Sequence, residues 1–234
     1  MQTKTSLKID WATHGAAKFA CENWHYSGCV PKSKQNKIGV WEDEKFLGVI
    51  MVGSSTGPHI FSFLGLNQFT GAELTRVALK NHKVTVSRIL SIALKFIKKK
   101  NPKLKAIVSF ADANVGHHGG IYQAGNWKYF GRSTAMKQWK IDGKWRNDVN
   151  LFEAFKGKRE MLQKLPQRTL EGKHKYVYFF DKELEKKFEK SFLIYPKRVT
   201  SIETDVSGVH PEEGGVSPTV TLHSTDELQH GSAS

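Results

Sequence analysis

Side chains capable of acid–base chemistry gather in two short stretches of the sequence. His25 and Tyr26 lie in the first stretch, and Asp112 and Tyr122 lie in the second. Carboxylates, imidazoles and phenols are the groups that enzymes use to accept or deliver a proton. We predict that Asp112 accepts a hydrogen bond from a reacting amine or acts as its base. Tyr26 and Tyr122 are predicted to stack on the substrate or to donate a proton.

Each of these residues also has a structural interpretation, which the sequence leaves open. Asp112 follows the apolar run 106–110, which is typical of a strand buried on both faces. A carboxylate at such a strand end commonly caps the following loop through its backbone amides. Tyr122 and Tyr26 can equally be packed aromatic residues whose hydroxyls meet backbone carbonyls.

The adjacent histidines His117 and His118 raise the question of a metal site. Two imidazoles with a carboxylate suit iron(II) or zinc, and His25 or Asp112 would complete the set. Adjacent histidines point in different directions on a helix, however, and loop histidines are commonly hydrogen-bonding residues. We therefore predict no metal and keep His117, His118 and His25 as the alternative ligands.

Hydrophobic periodicity predicts the elements that would position these residues. Thr13 is the expected N-cap of a helix that runs to about Asn23. The further predicted elements are a hairpin over 38–41 and 46–52, a strand over 73–79, a helix over 86–99, a strand over 106–110, a short helix over 117–124, a strand over 127–130, a hairpin over 136–145, a strand over 176–180 and a helix over 182–190. This order predicts an α/β (α+β) fold, with a mixed central sheet flanked by helices.

Charge divides the chain into two parts. Residues 1–200 carry 36 Lys and Arg against 16 Asp and Glu, because six of the 22 acidic residues lie beyond residue 200. A polyanionic partner is the commonest reason for such an excess, with nucleic acid first and an anionic membrane second. Beyond Arg198 the composition changes to Gly, Ser, Thr, Glu and Pro. We predict a catalytic domain over 1–198 and a flexible acidic tail over 199–234.

Nothing in the sequence predicts secretion or membrane insertion. Cys21 and Cys29 are the only cysteines, and no apolar segment follows Met1. The apolar stretch 86–97 is interrupted by Ser and Lys and is too short to span a membrane. We expect a protein of a reducing compartment that has no membrane partner.

The element order resembles the acetyltransferase superfamily with the GNAT fold. In that fold a strand leads through a turn into a helix whose N-terminal amides hold the pyrophosphate of an acyl-CoA. The cofactor-binding residues that the resemblance implies are Lys83, Ser87, Arg88 and Arg76. Ser87 and Arg88 can also be an N-cap and a solvated arginine. The superfamily's glycine-containing turn is absent, since no glycine lies between Gly71 and Gly116. The backbone therefore cannot wrap a pyrophosphate as closely.

Several separated motifs show a narrower resemblance. They are Trp24-His25-Tyr26-Ser27-Gly28-Cys29-Val30-Pro31, Phe110-Ala111-Asp112, Ile121-Tyr122-Gln123-Ala124-Gly125-Asn126-Trp127, Tyr176-Val177-Tyr178-Phe179-Phe180-Asp181 and Tyr195-Pro196-Lys197-Arg198. Together they resemble the Mom family of phage DNA-modification proteins over roughly residues 5–198. Tyr122 falls on the GNAT position whose hydroxyl often acts as general acid.

The Mom resemblance implies a reaction, a partner and a location. The exocyclic N6 amine of adenine in DNA would be converted to a carbamoylmethyl derivative, which protects phage DNA from host restriction. The enzyme would be phage-encoded and act in the cytoplasm of the bacterial host. Double-stranded DNA is the expected partner, and the target base must be flipped out or made reachable. Lys32, Lys34 and Lys37 are expected to meet phosphates at the mouth of the site.

The group donor and two alternative functions stay open. An acyl-CoA such as acetyl-CoA, a glycine-derived donor such as an aminoacyl-tRNA, and iron(II)-assisted chemistry are the alternatives for the donor. Plain acetyl transfer does not produce a carbamoylmethyl group, because that group bonds a carbon to nitrogen and carries an amide. The alternative functions are an ordinary N-acyltransferase acting on a protein or small-molecule amine, and a non-catalytic nucleic-acid-binding protein.

Overall fold

A computed structural model describes residues 6–55, 59–147 and 164–197, which belong to one compact unit. The predicted tail, residues 199–234, lies outside the described residues. The strands are β1 Leu7–Trp11, β2 Gln35–Glu42, β3 Lys45–Gly53, β4 Gly71–Leu79, β5 Ala106–Ala111, β6 Lys128–Arg132, β7 Met136–Ile141, β8 Lys144–Asn147, β9 Gln167–Leu170 and β10 His174–Phe179. The helices are α1 His14–Trp24, α2 Val86–Lys100, α3 Gly120–Gln123 and α4 Lys182–Lys187.

Seven strands form a mixed sheet in the order β1-β2-β3-β4-β5-β10-β6. Its pairs are antiparallel except for β4 and β5, which run parallel. The predicted fold class, a mixed sheet flanked by helices, is confirmed. A second, antiparallel sheet has the order β8-β7-β9. Its strand β9 was not predicted, because the four-residue segment Gln167–Leu170 is mostly polar and has no hydrophobic alternation.

Alternating side chains on the strands bury both faces of the large sheet. On β3, Ile50 and Val52 join the core that the apolar side of α2 covers. Val49 and Met51 point to the opposite face and pack with Ala17, Ala20 and Cys21 of α1. This period of two is what places a helix on each side of one sheet.

The two long helices begin where local signals allow. Thr13 Oγ1 accepts a hydrogen bond from the Ala16 amide at 3.2 Å, which confirms the predicted N-cap of α1. Helix α2 begins at Val86 with Thr85 as its N-cap residue, so the interpretation of Ser87 as an N-cap is wrong. Lysines 98–100 occupy the last turn of α2, where cations suit the helix dipole. Among the described residues, no helix is long and apolar enough to cross a membrane.

The parallel strands β4 and β5 separate halfway along their length. They pair from Gly71 with Ala106 to Leu74 with Ser109. Beyond these residues β4 continues beside β3, and β5 continues beside β10. The large sheet therefore opens at the carboxyl ends of its two parallel strands, which is where open α/β sheets bind ligands.

Candidate active site

A cleft of about 710 Å³ occupies the opening between β4 and β5. Strand β4 contributes Thr75 and Arg76 to its lining, and α3 contributes Tyr122. The loop after α1 and the loop after β5 complete the lining with His25, Tyr26, His117 and His118. The structure therefore brings together residues from both stretches that the sequence singled out.

Ser109 joins the two strands to α3 at the point where they separate. Its Oγ lies 2.9 Å from the Leu74 carbonyl oxygen and 2.8 Å from the Tyr122 hydroxyl. Because a carbonyl oxygen can only accept, the single Ser109 hydroxyl hydrogen goes to Leu74, and Tyr122 donates to Ser109 Oγ. Burial raises the pKa of Tyr122 to about 12. The phenol is thus neutral and keeps its proton over the physiological pH range.

Three aromatic rings line one side of the cleft. The centroids of His25 and Tyr26 are 4.4 Å apart, and those of Tyr26 and His117 are 5.2 Å apart with the rings edge to face. Tyr26 is 54 % exposed. An aromatic ring that is open to solvent can stack on a base, and the stacking role of Tyr26 stays a prediction.

His25 is held as a neutral imidazole. Its Nδ1 accepts a hydrogen bond from the Ser27 amide at 3.1 Å, so the ring hydrogen lies on Nε2. Burial, together with the charges of the nearby Arg76, His117 and Lys173, lowers the pKa of His25 to about 4. His25 therefore offers an N–H donor rather than a base at neutral pH.

Arg76 connects the loop that carries His25 and Tyr26 to β4 through hydrogen bonds. Its Nε donates to the Cys29 carbonyl at 3.2 Å, and one terminal nitrogen donates to the Thr75 carbonyl at 2.7 Å. The sequence predicted Arg76 as a cofactor-binding residue. Its observed bonds hold the loop in place and bring a positive charge to the cleft, where it lowers the pKa of His25.

Asp112 has the contacts of a strand-end cap. Its Oδ1 accepts hydrogen bonds from the amide and the side chain of Asn114, at 3.1 and 2.9 Å. Its Oδ2 lies 2.9 Å from the Lys173 ammonium. Burial acts to raise the pKa of Asp112, but the bonds from Asn114 and Lys173 outweigh it, so the pKa is lowered. Ala111 lines the cleft but Asp112 does not. Its catalytic role stays a prediction.

The loop that carries His117 and His118 precedes α3 rather than lying on a helix, which makes the observed helix shorter than predicted. The Tyr176 hydroxyl donates to the His118 carbonyl at 2.6 Å. Gly119 follows with φ of 85°, and a Cβ there would lie 2.3 Å from the Tyr176 ring. Only glycine allows the loop to pass this closely at a positive φ.

The turn between β4 and α2 is occupied by the protein's own carboxylate. Glu42, which is 4 % exposed, accepts hydrogen bonds from the amides of Lys83 and Val84, each at 3.0 Å to its nearer oxygen. The Lys83 ammonium lies 3.7 Å from the Asp43 carboxylate. Two amides of the turn and its lysine therefore already have anionic partners. The sequence did not reveal Glu42, whose partner lies 41 positions along the chain.

Ser87 and Arg88 lie instead at a second pocket of about 630 Å³. Asn126, Lys128 and Lys182 also line this pocket. The four predicted cofactor-binding residues are thus divided among the second pocket, the main cleft and the turn between β4 and α2.

The predicted DNA-contacting lysines lie outside the cleft lining. Lys32 and Lys34 are exposed in the segment that leads into β2. Lys37 is half-buried within β2, and its ammonium donates to the Gln35 carbonyl at 3.4 Å. The contacts of these lysines with DNA stay predictions.

Within residues 6–55, 59–147 and 164–197, no group of three or more His, Cys, Asp or Glu is arranged to hold a metal ion. His25 is an alternative ligand together with His117 and His118. Its Nδ1 already accepts a hydrogen bond from the Ser27 amide. Only its Nε2 would remain for a metal.

A mixed sheet that opens between two parallel strands, with a phenol and imidazoles in the opening, defines an α/β protein with a candidate catalytic cleft. Residues 6–197 match the Mom protein family, and the chain belongs to that family. One relative is the methylcarbamoylase mom of Escherichia phage Mu. It is 25 % identical over 200 residues, which cover 81 % of this chain and 83 % of the relative.

Solved acetyltransferase structures are distantly similar. A putative acetyltransferase from Acinetobacter baylyi is 10 % identical, with a TM-score of 0.43, and the match covers 77 % of this chain and 95 % of that one. A probable acetyltransferase from Staphylococcus epidermidis is also 10 % identical, with a TM-score of 0.44 and coverage of 75 % and 99 %.

Proposed function

We propose that this protein is a phage-encoded transferase that converts the N6 amine of adenine in DNA to a carbamoylmethyl derivative. Membership of the Mom protein family, with a methylcarbamoylase as a relative, carries the proposal. The excess of basic residues over residues 1–200 supports a polyanionic substrate. The setting is the cytoplasm of an infected bacterium, where the modification protects phage DNA from restriction.

The cleft suits one extruded base. Its volume of about 710 Å³ lies within the range of about 300–1,000 Å³ that is common for small-ligand sites. An adenine inside a duplex exposes N6 only in the major groove, so reaching a cleft between two strands requires the base to leave the stack. The exposed Tyr26 ring stacks on the extruded adenine, and the two flanking imidazoles hold that ring in place.

The chemical step replaces an N6–H bond with an N6–carbon bond. N6 attacks the donor carbon that bears the leaving group, the leaving group departs with the electron pair, and N6 loses a proton. His117 borders Tyr26 and accepts that proton, whereas the neutral His25 donates from Nε2 to a carbonyl or ring nitrogen. Tyr122 keeps its proton at neutral pH, and in this step its hydroxyl turns from Ser109 Oγ to donate to the leaving group.

Asp112 acts in this proposal as a positioning residue. Both of its oxygens are already bonded, one to Asn114 and the other to Lys173. The Lys173 charge also reaches His25, whose pKa it lowers. Asp112 therefore holds a cation beside the cleft and helps to keep His25 neutral.

Glu42 already occupies two amides of the turn before α2, which argues against an acyl-CoA pyrophosphate bound to those amides. Acetyl-CoA bound elsewhere, a glycine-derived donor such as an aminoacyl-tRNA, and iron(II)-assisted chemistry are the three alternatives. A glycine-derived donor accounts best for the product, since the N6-glycyl adduct that forms as the ester oxygen leaves contains every atom of the carbamoylmethyl group and needs only a rearrangement to it. Ser87 and Arg88 in the second pocket are the contacts for its phosphates.

The test is mass spectrometry of nucleosides from plasmid DNA of cells that express the wild type, His117→Ala or the control His14→Ala. His14 is an exposed histidine at the first residue of α1, outside the cleft. We expect an adenosine adduct with the wild type and the control, and its loss with His117→Ala. The same plasmids should resist restriction enzymes that recognise adenine-containing sites. Unmodified DNA with all three proteins would overturn the proposal and direct attention to protein or small-molecule amines.

A further inference from the structure

The small sheet β8-β7-β9 and its flanking residues are strongly basic. Over 136–147 and 164–171, six exposed cations stand against two acidic residues, Asp142 and Glu171. The cations are Lys137, Lys140, Lys144, Arg146, Lys164 and Arg168. Glu171 forms an ion pair with Arg132, which removes it as a local counter-charge. No part of the predicted catalytic cleft lies in these segments.

The strand register collects an aromatic residue and two cations on one face of this sheet. Lys140 lies opposite Trp145 on β8, and Gln138 lies opposite Arg168 on β9. Directly opposed residues share a face, and so do Gln138 and Lys140, which are two positions apart on β7. Lys140, Trp145 and Arg168 therefore form one exposed surface, the Arg168–Trp145 face.

Arg168 is held in a fixed orientation on this face. Its guanidinium carbon lies 4.5 Å from the centroid of the Trp145 ring. Two of its nitrogens donate to Gln138 Oε1, at 2.9 and 2.7 Å. A guanidinium that is stacked and bonded in this way presents a planar cation without the entropy loss of a free side chain, which suits a phosphate oxygen.

The segments that connect the small sheet to the large sheet, which contain Ser133 and Lys173, are hydrogen-bonded to each other and to the cleft loop. Ser133 and Lys173 exchange two hydrogen bonds, at 2.8 and 3.0 Å. The Asn114 side chain and the Glu171 backbone also bond reciprocally, both at 3.1 Å. Asn114 lies in the loop that leads to His117 and His118, so this anchor joins the basic sheet to the loop that lines the cleft.

We propose that the Arg168–Trp145 face binds the phosphate backbone of duplex DNA beside the cleft. The inference rests on the proposed function, because a base that is flipped into the cleft leaves the rest of the duplex outside it. That duplex needs a cationic support at a fixed distance from the site. The exposed cations complement its charge, and the hydrogen-bonded connections between the small sheet and the cleft loop fix the distance.

The test compares two double charge reversals by fluorescence anisotropy with a labelled duplex over a range of salt concentrations. Lys140→Glu/Arg168→Glu changes the Arg168–Trp145 face, and Lys95→Glu/Lys99→Glu makes the same charge change on the exposed side of α2. We expect the first variant to bind about tenfold or more weakly at low salt and to lose about 2 from the salt slope, since each phosphate contact contributes about 0.9. The control should lose clearly less of both, with both melting temperatures near that of the wild type.

A third variant, Arg168→Lys, keeps the charge but removes the planar group that stacks on Trp145. It should bind with an affinity between those of the wild type and the double reversal.

The outcomes separate this inference from the proposed function. If the wild type modifies DNA and Lys140→Glu/Arg168→Glu retains its affinity and salt slope, the docking surface is refuted and the function stands. If the two double reversals weaken duplex binding equally, the docking surface is also refuted, because the attraction between protein and DNA would then come from the overall positive charge. A different result is that unlabelled RNA at equal concentration displaces the duplex from the wild type but fails to displace it from Lys140→Glu/Arg168→Glu. That result would assign the face to RNA. A wild type that neither binds duplex DNA nor modifies adenine overturns both proposals.

Discussion

The Tyr122 hydroxyl donates to Ser109 Oγ across 2.8 Å at the point where β4 and β5 separate. Ser109 in turn donates to the Leu74 carbonyl at 2.9 Å. One buried chain of hydrogen bonds therefore connects α3 with both strands at the floor of the cleft. The phenol is at once a structural tie and a cleft-lining group that stays protonated at neutral pH.

Tyr122→Phe tests the role of this phenol as proton donor. We expect kcat to fall by about 10²–10⁴-fold, the range for loss of a general acid, with little change in DNA affinity. Single-turnover product formation on a duplex, followed by mass spectrometry, measures the rate. Tyr195→Phe is the matched control, because its hydroxyl makes a similar hydrogen bond at 2.7 Å to the Trp127 carbonyl outside the cleft. A Tyr122→Phe enzyme with wild-type kcat would assign the proton to another group.

Ser109→Ala tests the structural half of the same relationship. The Tyr122 hydroxyl would lose its acceptor in a buried position, which we expect to lower the free energy of unfolding by about 1–3 kcal/mol. Denaturant unfolding of the wild type, Ser109→Ala and Ser109→Ala/Tyr122→Phe measures this effect. The double variant should recover part of the loss, because it removes the orphaned hydroxyl. No recovery would indicate that the hydroxyl finds another partner.

The ionisation of His25 is expected to affect stability at acidic pH. Its pKa is about 4 in the folded protein, below the 6.5 of the free side chain. The contribution of His25 to stability is therefore fully present above pH 6.5 and is lost as the pH falls from 6.5 toward 4. Between pH 7.5 and pH 5, the wild type should lose more unfolding free energy than His25→Gln. Titration of the His25 ring by NMR near pH 6.5 would contradict this prediction.

Asp112→Asn distinguishes a positioning residue from a base. Asparagine keeps the shape and one acceptor for Asn114 but loses the charge facing Lys173. We expect kcat to stay within about tenfold of the wild type, whereas removal of a general base costs about 10²–10⁴-fold. The pH profile of the rate near neutrality should stay unchanged, because an unpaired Lys173 lowers the pKa of His25 further below neutrality. A thousandfold loss with an intact fold would restore Asp112 as the base.

Glu42→Gln tests whether the turn before α2 is closed to anions. The neutral side chain offers a single acceptor to two amides, so we expect a loss of about 1–3 kcal/mol in the free energy of unfolding. It should also bind pyrophosphate or coenzyme A more tightly than the wild type does in calorimetry. Glu44→Gln, an exposed carboxylate in the same hairpin, is the control. Tight binding of coenzyme A by the wild type, abolished by Lys83→Ala, would show that the turn does accept an acyl-CoA.

Local patterns in the sequence determined most of the regular elements. The N-cap of α1, the period of α2 and the β2–β3 hairpin were predicted correctly because their signals lie within one element or one turn. The apolar run of β5 identified a buried strand with Asp112 at its end. The two chemically active stretches were also recognisable, since residue types and motifs are properties of the sequence alone.

Only the tertiary structure decided how these groups work together. Three features of the site depend on segments that are far apart in the chain. They are the separation of β4 from β5, the bonds of Glu42 to the turn before α2, and the Asp112–Lys173 ion pair. Such pairs depend on how the sheet folds rather than on local preference, and the neutral form of His25 depends on burial and on three neighbouring cationic or titratable groups. The sequence therefore named the groups of the site, whereas long-range packing determined their partners and their charge.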